Sequence, residues 1–428
     1  MSTIPLQHLE ASAAPRQGSA HPALGVLMLL GVVCVIDSAI LGSLLTPIKA
    51  DWGLSDEQLG RLASSFTVAG LVGAPLFALL ANRIGRKATL LVGVVLWSVA
   101  SVASGFAGGF AALLLWRALT GFGEAAYNGL VPSWLADLYR PKWRNLVFSL
   151  YMLRNKIGAA LALVIGSWVA ERYDWQVALW VSGVPGLVLA LGLLPLREPR
   201  PGQSEGVAAA PLRLDARQSL QVFGHRGFLL HLAALSLFWI AMNGQFWIPA
   251  YLHRVYGLSN PQAAGFMAQV LLFTLPAGLI GGYFSSLYLR QRAGGFALFL
   301  AVTALIAGAT YALAYTTRDL VLAKAGIVVA ITAFGASAGA LTTLIVETVP
   351  PALRATASSL AVVISGGIGG ILAPELLGRL SDRHGLDQAI YLMPAAYLAA
   401  GVVWLVLAWH QSRRAAPLSP SATSGASA

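Results

Sequence analysis

The residues that could do chemistry here are charged side chains in apolar surroundings. Arg117 and Glu124 lie in Trp116-Arg117-Ala118-Leu119-Thr120-Gly121-Phe122-Gly123-Glu124-Ala125-Ala126-Tyr127-Asn128, inside an apolar run of roughly residues 110–138. They are seven residues apart, about two helical turns, so a helix puts them nearly on one face. Asp37 sits in an earlier apolar run, and Arg154 and Lys156 sit in a later one. An ionisable group at bilayer depth costs at least about 2.5–3.5 kcal/mol on insertion scales, and such groups mark ion or substrate paths. A carboxylate there can exchange a proton: burial favours the neutral acid, and a nearby arginine favours the ionised one. The chemistry is proton binding and release, with Glu124 as a titrating acid and Arg117 as the responding cation, paired with Glu124 in one state. Gly121 and Gly123 let a helix or a ligand come close. A permanent Arg117–Glu124 brace, and an interhelical hydrogen bond for Asp37, are the structural alternatives.

Tyr151-Met152-Leu153-Arg154-Asn155-Lys156 places two cations two residues apart. On a helix they point about 200° apart and cannot both face one groove. One that faces a central cavity would bind an anionic head such as phosphate, carboxylate or sulfonate. The other would snorkel or pair elsewhere. A later start of this helix would instead bring both to the interface. Candidate binding residues in the first half of the chain are Arg154, Lys156, Tyr127, Asn128 and Tyr151. The second half offers Asn243, Gln245 and Trp247, in a region rich in aromatic and small residues.

The elements that must position these side chains are membrane-spanning helices. The chain has 428 residues, 57% hydrophobic and 11% charged, with a mean hydropathy of +0.72. That composition excludes a soluble globular protein, and long apolar runs rather than short alternating ones argue against a β-barrel. The runs predict helices at about 24–46, 60–81, 88–107, 110–138, 145–170, 176–196, 228–252, 262–289, 293–315, 320–348, 354–380 and 387–410. The expected fold class is an all-α membrane protein, with twelve transmembrane helices in two pseudo-symmetric six-helix bundles. Residues 1–23 read as a disordered cytoplasmic N-terminus, 24–196 as one bundle, 197–227 as a cytoplasmic linker, 228–410 as the second bundle and 411–428 as a disordered tail. With the N-terminus in the cytoplasm, 17 of the 28 basic residues fall on the cytoplasmic side and eight on the other, the split that topology demands. This also accounts for the net charge of +11 without nucleic acid.

After the second helix comes Ala78-Leu79-Leu80-Ala81-Asn82-Arg83-Ile84-Gly85-Arg86-Lys87. It resembles the signature loop of the major facilitator superfamily, Gly-x-x-x-Asp-Arg-x-Gly-Arg-Arg/Lys. The resemblance implies a cytoplasmic gate at Asn82, Arg83, Gly85, Arg86 and Lys87, with Asp137 and Arg144 nearby. In the family the aspartate helps latch the two halves; here Asn82 replaces it, and Ala78 replaces the leading glycine. A better match to the same string, Gly378-Arg379-Leu380-Ser381-Asp382-Arg383-His384-Gly385, falls on the opposite face. It reads as the exit turn of the eleventh helix and not as a second latch. A closer resemblance is to the Spinster family: Arg117 to Ala125, Ala136-Asp137-Leu138-Tyr139, Trp247 to Leu252, Val349 to Ala357, and the ladder Gly370, Pro374, Gly378, Asp382. That likeness implies amphipathic lipid substrates, and proton coupling at acids matching Asp37 and Glu124.

The sequence holds no phosphate-cradling loop for ATP, no metal spacing among its seven histidines and one cysteine, Cys34, which excludes an intrachain disulfide. No nucleophile–base arrangement appears, so no enzyme, cofactor or metal is expected. The expected function is a proton-coupled secondary transporter, an exporter of amphipathic or organic-anion molecules, monomeric in a bacterial inner membrane with both termini inside. The alternatives are an uncoupled facilitator or lipid translocator, and a proton-driven importer of organic or sugar acids.

Overall fold

The computed structural model describes residues 20–200, 203, 220–289, 292–350 and 353–415. The expectations for most of the N-terminus, the linker interior and the end of the tail lie outside these residues. The described chain is helical: α1 Ala20–Trp52, α2 Asp56–Ile84, α3 Arg86–Ser104, α4 Phe110–Leu138, α5 Pro141–Arg172 and α6 Trp175–Leu193. Then come α7 Arg226–Gly244, α8 Ile248–Tyr256, α9 Asn260–Phe273, α10 Leu275–Phe284 and α11 Gly295–Thr316. The last are α12 Leu320–Ala336, α13 Ala338–Glu347, α14 Arg354–His384, α15 Leu386–Ala389 and α16 Leu392–Ala415. Eleven spans among the described residues are long and apolar enough to cross a membrane, and α4, 29 residues long despite its charges, is the twelfth. Helices suit that solvent because every backbone group bonds within its own segment.

Three spans are broken where the sequence analysis drew continuous helices. A 3₁₀ turn, Gln245–Trp247, separates α7 from α8. The eighth span breaks at Thr274, because Pro276 has no N–H to continue the ladder. The tenth breaks at Ser337 between Gly335 and Gly339. Boundaries also move: α1 begins at Ala20 and α16 runs to Ala415, so residues 20–23 and 411–415, expected to be disordered, are helical.

Local caps explain the starts. Ser55 with Gln58, and Ser259 with Gln262, form capping boxes ahead of α2 and α9. Asp319 caps α12. In the first half α1 packs on α5 and α6, and α4 on α2 and α3. In the second half α16 packs on α7 and α11, and α14 on α7. The halves meet where α2 crosses α14 and where α9 lies on α5.

One end of the molecule carries Arg83, Arg86 and Arg144 and is called the basic end below. Among the described residues, polar contacts between the halves run from the opposite end only as far as Lys156 and Thr274, at mid-depth.

Candidate functional site

Helices α1 and α4 of the first half bring the predicted acids together. Asp37, Arg117 and Glu124 are 0%, 1% and 2% exposed, too deep for water to satisfy them. Asp37 accepts hydrogen bonds at Oδ1 from the Ser101 hydroxyl of α3 and, at 2.7 Å, from Ser182 Oγ of α6. Its Oδ2 has no hydrogen-bond partner. Arg117 Nη1 lies 3.8 Å from Asp37 Oδ1, and Nη2 donates to the Asp37 carbonyl at 3.3 Å. In this structure the arginine pairs with Asp37 and not with Glu124. Seven residues of helix separate Arg117 and Glu124 by about 10 Å along the axis, so the guanidinium reaches the neighbouring helix instead. Glu124 accepts only from the Cys34 thiol, 3.2 Å away, and its Oε1 is unpartnered.

Arg117 reaches a cavity of about 190 Å³ between the halves, lined by Ser38, Phe66, Asn243, Phe246, Gly370 and Pro374 among others. Its guanidinium stands 5.3 Å from the Phe66 ring, with Nε and Nη1 lacking hydrogen bonds. The cavity thus has a cationic wall, two phenyl rings and a few polar groups, a common composition for a small-molecule site.

A second cluster lies on α1, α4 and α5. The Arg154 guanidinium is 4.3 Å from the Tyr151 ring centroid and 5.0 Å from that of Tyr127. Its Nη2 donates to Asn128 Oδ1 at 2.9 Å and to the Tyr151 hydroxyl at 3.0 Å. Its Nε has no hydrogen-bond partner, and it has no ion pair among the described residues. Such ring contacts strengthen when desolvated. Tyr127, buried, spends its hydroxyl on the Leu27 carbonyl at 2.6 Å.

Lys156 goes the other way. Its ammonium crosses to the second half and donates to Thr274 O and Oγ1, both at 3.1 Å, at the broken end of α9. A cation at a helix C-terminus satisfies orphan carbonyls and the dipole. Of the second-half candidates, Asn243 lines the cavity, while its Nδ2 donates to Trp239 O. Gln245 Nε2 is buried without a partner. Trp247 is buried and donates to Pro374 O at 3.2 Å, so it braces α8 against α14 and does not line the cavity.

At the basic end, Gly85 takes φ 86° and ψ 158°, a turn open to glycine. Arg86 pairs with Asp137 at 2.6 Å and donates to Pro199 O. Lys87 Nζ donates to Leu194 O. Arg144 Nε donates to the Ala136 and Tyr139 carbonyls. The carboxylate comes from Glu198, which the sequence reading missed. It accepts from the Arg86 and Lys87 backbone N–H groups at 3.0 Å each, and from Arg86 Nε. Partial burial works to raise the Glu198 pKa, but these donors outweigh it and hold the carboxyl below its ordinary range. Asn82 and Arg83 are exposed and make no hydrogen bond with the described residues.

At the opposite end the 378–385 string forms the exit turn of α14 and also contacts the other half. Asp382 accepts, across the halves, from the backbone N–H groups of Asp56 and Glu57, each at 2.8 Å. Cys34, Phe66, Ser101 and Ser182 were also missed as site residues, since nothing in their spacing distinguishes them from packing.

A twelve-span all-α membrane protein with a cavity between its two halves, lined by Arg117 and mostly apolar side chains, has the architecture of a membrane transporter. Residues 27–374 match the Major Facilitator Superfamily, and the chain belongs to that family. It is similar to Protein spinster of Drosophila melanogaster, 26% identical over 83% of this chain and 61% of that protein, so it spans under two thirds of that relative. It is similar to the D-galactonate transporter of Escherichia coli O6:H1, 24% identical over 90% of this chain and 94% of the other. A bacterial Spinster homologue solved inward-facing and unoccupied shares the fold, with a TM-score of 0.76 at 23% identity, over 92% of this chain and 97% of the other.

Proposed function

We propose that the protein is a proton-coupled secondary active transporter, an exporter of amphipathic or organic-anion small molecules, lysolipids and sphingolipids among them. It works by alternating access of the bundles 24–196 and 228–410, with 197–227 as their linker. The observation that carries this reading is the buried trio Asp37, Arg117 and Glu124, of which Arg117 lines the cavity, with both acids and the guanidinium only partly satisfied. A buried charge that lacks partners is costly, so each change in solvent access presses on its protonation. Export driven by an inward proton gradient requires proton and substrate to bind in turn. Uptake of a proton by Asp37 or Glu124 from the far side goes with release of the anion there. Loss of that proton to the cytoplasm precedes anion binding, with Arg117 responding to the change. Glu124 carries the coupled proton. Arg154, fixed by two tyrosines and Asn128, offers a second anion contact, and Phe66 and Phe246 face the apolar part of the substrate. Asn82, Arg83, Gly85, Arg86, Lys87, Asp137 and Arg144 serve the gate at the basic end. That end faces the cytoplasm, as the positive-inside rule requires, and the protein is a monomer in a bacterial inner membrane with both termini inside.

A second reading, a proton-driven importer of organic or sugar acids, is favoured by the cavity volume of about 190 Å³, which suits a small acid, and by the likeness to the D-galactonate transporter. The test is transport in proteoliposomes. Glu124→Gln should abolish accumulation driven by an imposed pH gradient while sparing exchange. Undiminished gradient-driven accumulation would remove Glu124 from coupling. Flux indifferent to the gradient in the parent protein would make it an uncoupled facilitator. Competition by short hydrophilic acids, with none by amphiphiles, would favour the importer.

A further inference from the structure

The string 378–385 ends in the same turn as the signature loop. Gly385 takes φ 89° and ψ 152°, against φ 86° and ψ 158° at Gly85, and each glycine ends one helix and opens the next. The two turns lie at opposite ends of the molecule. Where the signature loop has Asn82, this one has Asp382. The Asp382 carboxylate accepts from the first two backbone N–H groups of α2, at Asp56 and Glu57. No helical carbonyl can satisfy those groups, and the positive end of the helix dipole favours an anion there.

The rest of the contact surrounds this cap. Asp56, whose side chain is 3% exposed, takes a two-pronged pair from Arg254 of α8, at 2.6 and 2.9 Å, with Lys49 at 2.6 Å and Ser381 Oγ at 2.5 Å. Glu57, Arg61, Glu375 and Arg379 form a more exposed ring beside it. Below them Gly60 lets the backbones touch: a Cβ there would lie 2.3 Å from the Pro374 carbonyl oxygen.

We propose that Asp382 is the positioning residue that shuts this end of the transporter, so that 378–385 is a latch working on the face opposite the signature loop. α14 and α2 belong to different halves, so a cap between them holds only while the halves are together here. When they part, the Asp56 and Glu57 N–H groups lose the carboxylate. With asparagine at position 82, the basic end lacks the matching acid, and the chain rests shut at the far end. The inference rests on the two-half architecture and is independent of which group carries a proton.

The test uses spin-label distance measurements on the full chain in nanodiscs. One pair, at exposed Tyr173 and Asp387, reports the far end; the other, at Leu79 and Tyr283, reports the basic end. Asp382→Ala should raise the ratio of far-end-open to far-end-closed molecules about tenfold, the effect of losing a helix cap, lengthening the first distance and shortening the second. Asp382→Asn, which keeps one acceptor oxygen, should shift less and covers the case in which the alanine variant does not fold. Arg383→Gln removes a neighbouring charge with no described partner and should leave both distances unchanged. Parent-like distances in every folded Asp382 variant would overturn the proposal, and so would an equal shift in Arg383→Gln.

Discussion

The two glycine turns, at Gly85 and Gly385, have nearly the same backbone and opposite electrostatics. At the basic end the anion on the helix N-terminus is Glu198, from the segment after α6 in the same half. It ties the signature loop to its own bundle. At the far end the anion is Asp382, and the N-terminus it caps belongs to the other half. The same physical device, a carboxylate on orphan N–H groups, stiffens one bundle in the first place and joins two in the second. What a motif does thus depends on which body supplies its partner.

This comparison can be broken at several strengths. The largest effect is expected from Gly60→Leu, whose side chain would strike the Pro374 carbonyl and keep the far end from closing. Transport should fall more than about tenfold, with the far-end spin-label distance long in most molecules. Parent-like transport would show that α2 and α14 need not touch. Next comes Asp56→Ala, which strands Arg254, Lys49 and Ser381. It should cost the closed state about 1–1.5 kcal/mol, since Arg254 and Lys49 are partly exposed and can turn to water. The far-end distance distribution reads it. A smaller shift, about threefold, is expected from Asn82→Asp, which restores an acid to the basic end and should speed labelling of cysteines placed inside the far end. Unchanged labelling would exclude position 82 from that gate.

The smallest effect concerns Glu198. Its lowered carboxyl pKa adds stability that is present above the ordinary glutamate range and is lost as pH falls through the lowered value. Glu198→Gln should lose about 1 kcal/mol or less at neutral pH and show a flatter acid limb in thermal unfolding. An acid limb identical to the parent's would show that the ionised carboxylate adds nothing to that loop.

The halves also differ in how far their chemistry could be read in advance. Asp37, Arg117, Glu124 and Arg154 stand out because charge in an apolar run is rare, and the structure gathers all four in the first half. Their pairing was not legible. Helical spacing puts Arg117 and Glu124 on one face, but only the packing of α1 against α4 brings Asp37 within reach. In the second half the breaks at Thr274 and Ser337 had weak signals, a proline two residues on and a run of small residues. That Lys156 would fill the first break depended on α5 lying against α9.

By itself the sequence determined that the chain spans a membrane many times, that its first half holds the buried charges, and which end is basic. These follow from local composition, because apolar length and rare charge act without reference to the fold. Tertiary structure alone decided which acid Arg117 meets, where Glu198 and Asp382 place their carboxylates, and which end carries the polar contacts between the halves. The groups involved lie up to 326 residues apart in the chain, and no pattern of spacing records which helices come to lie side by side.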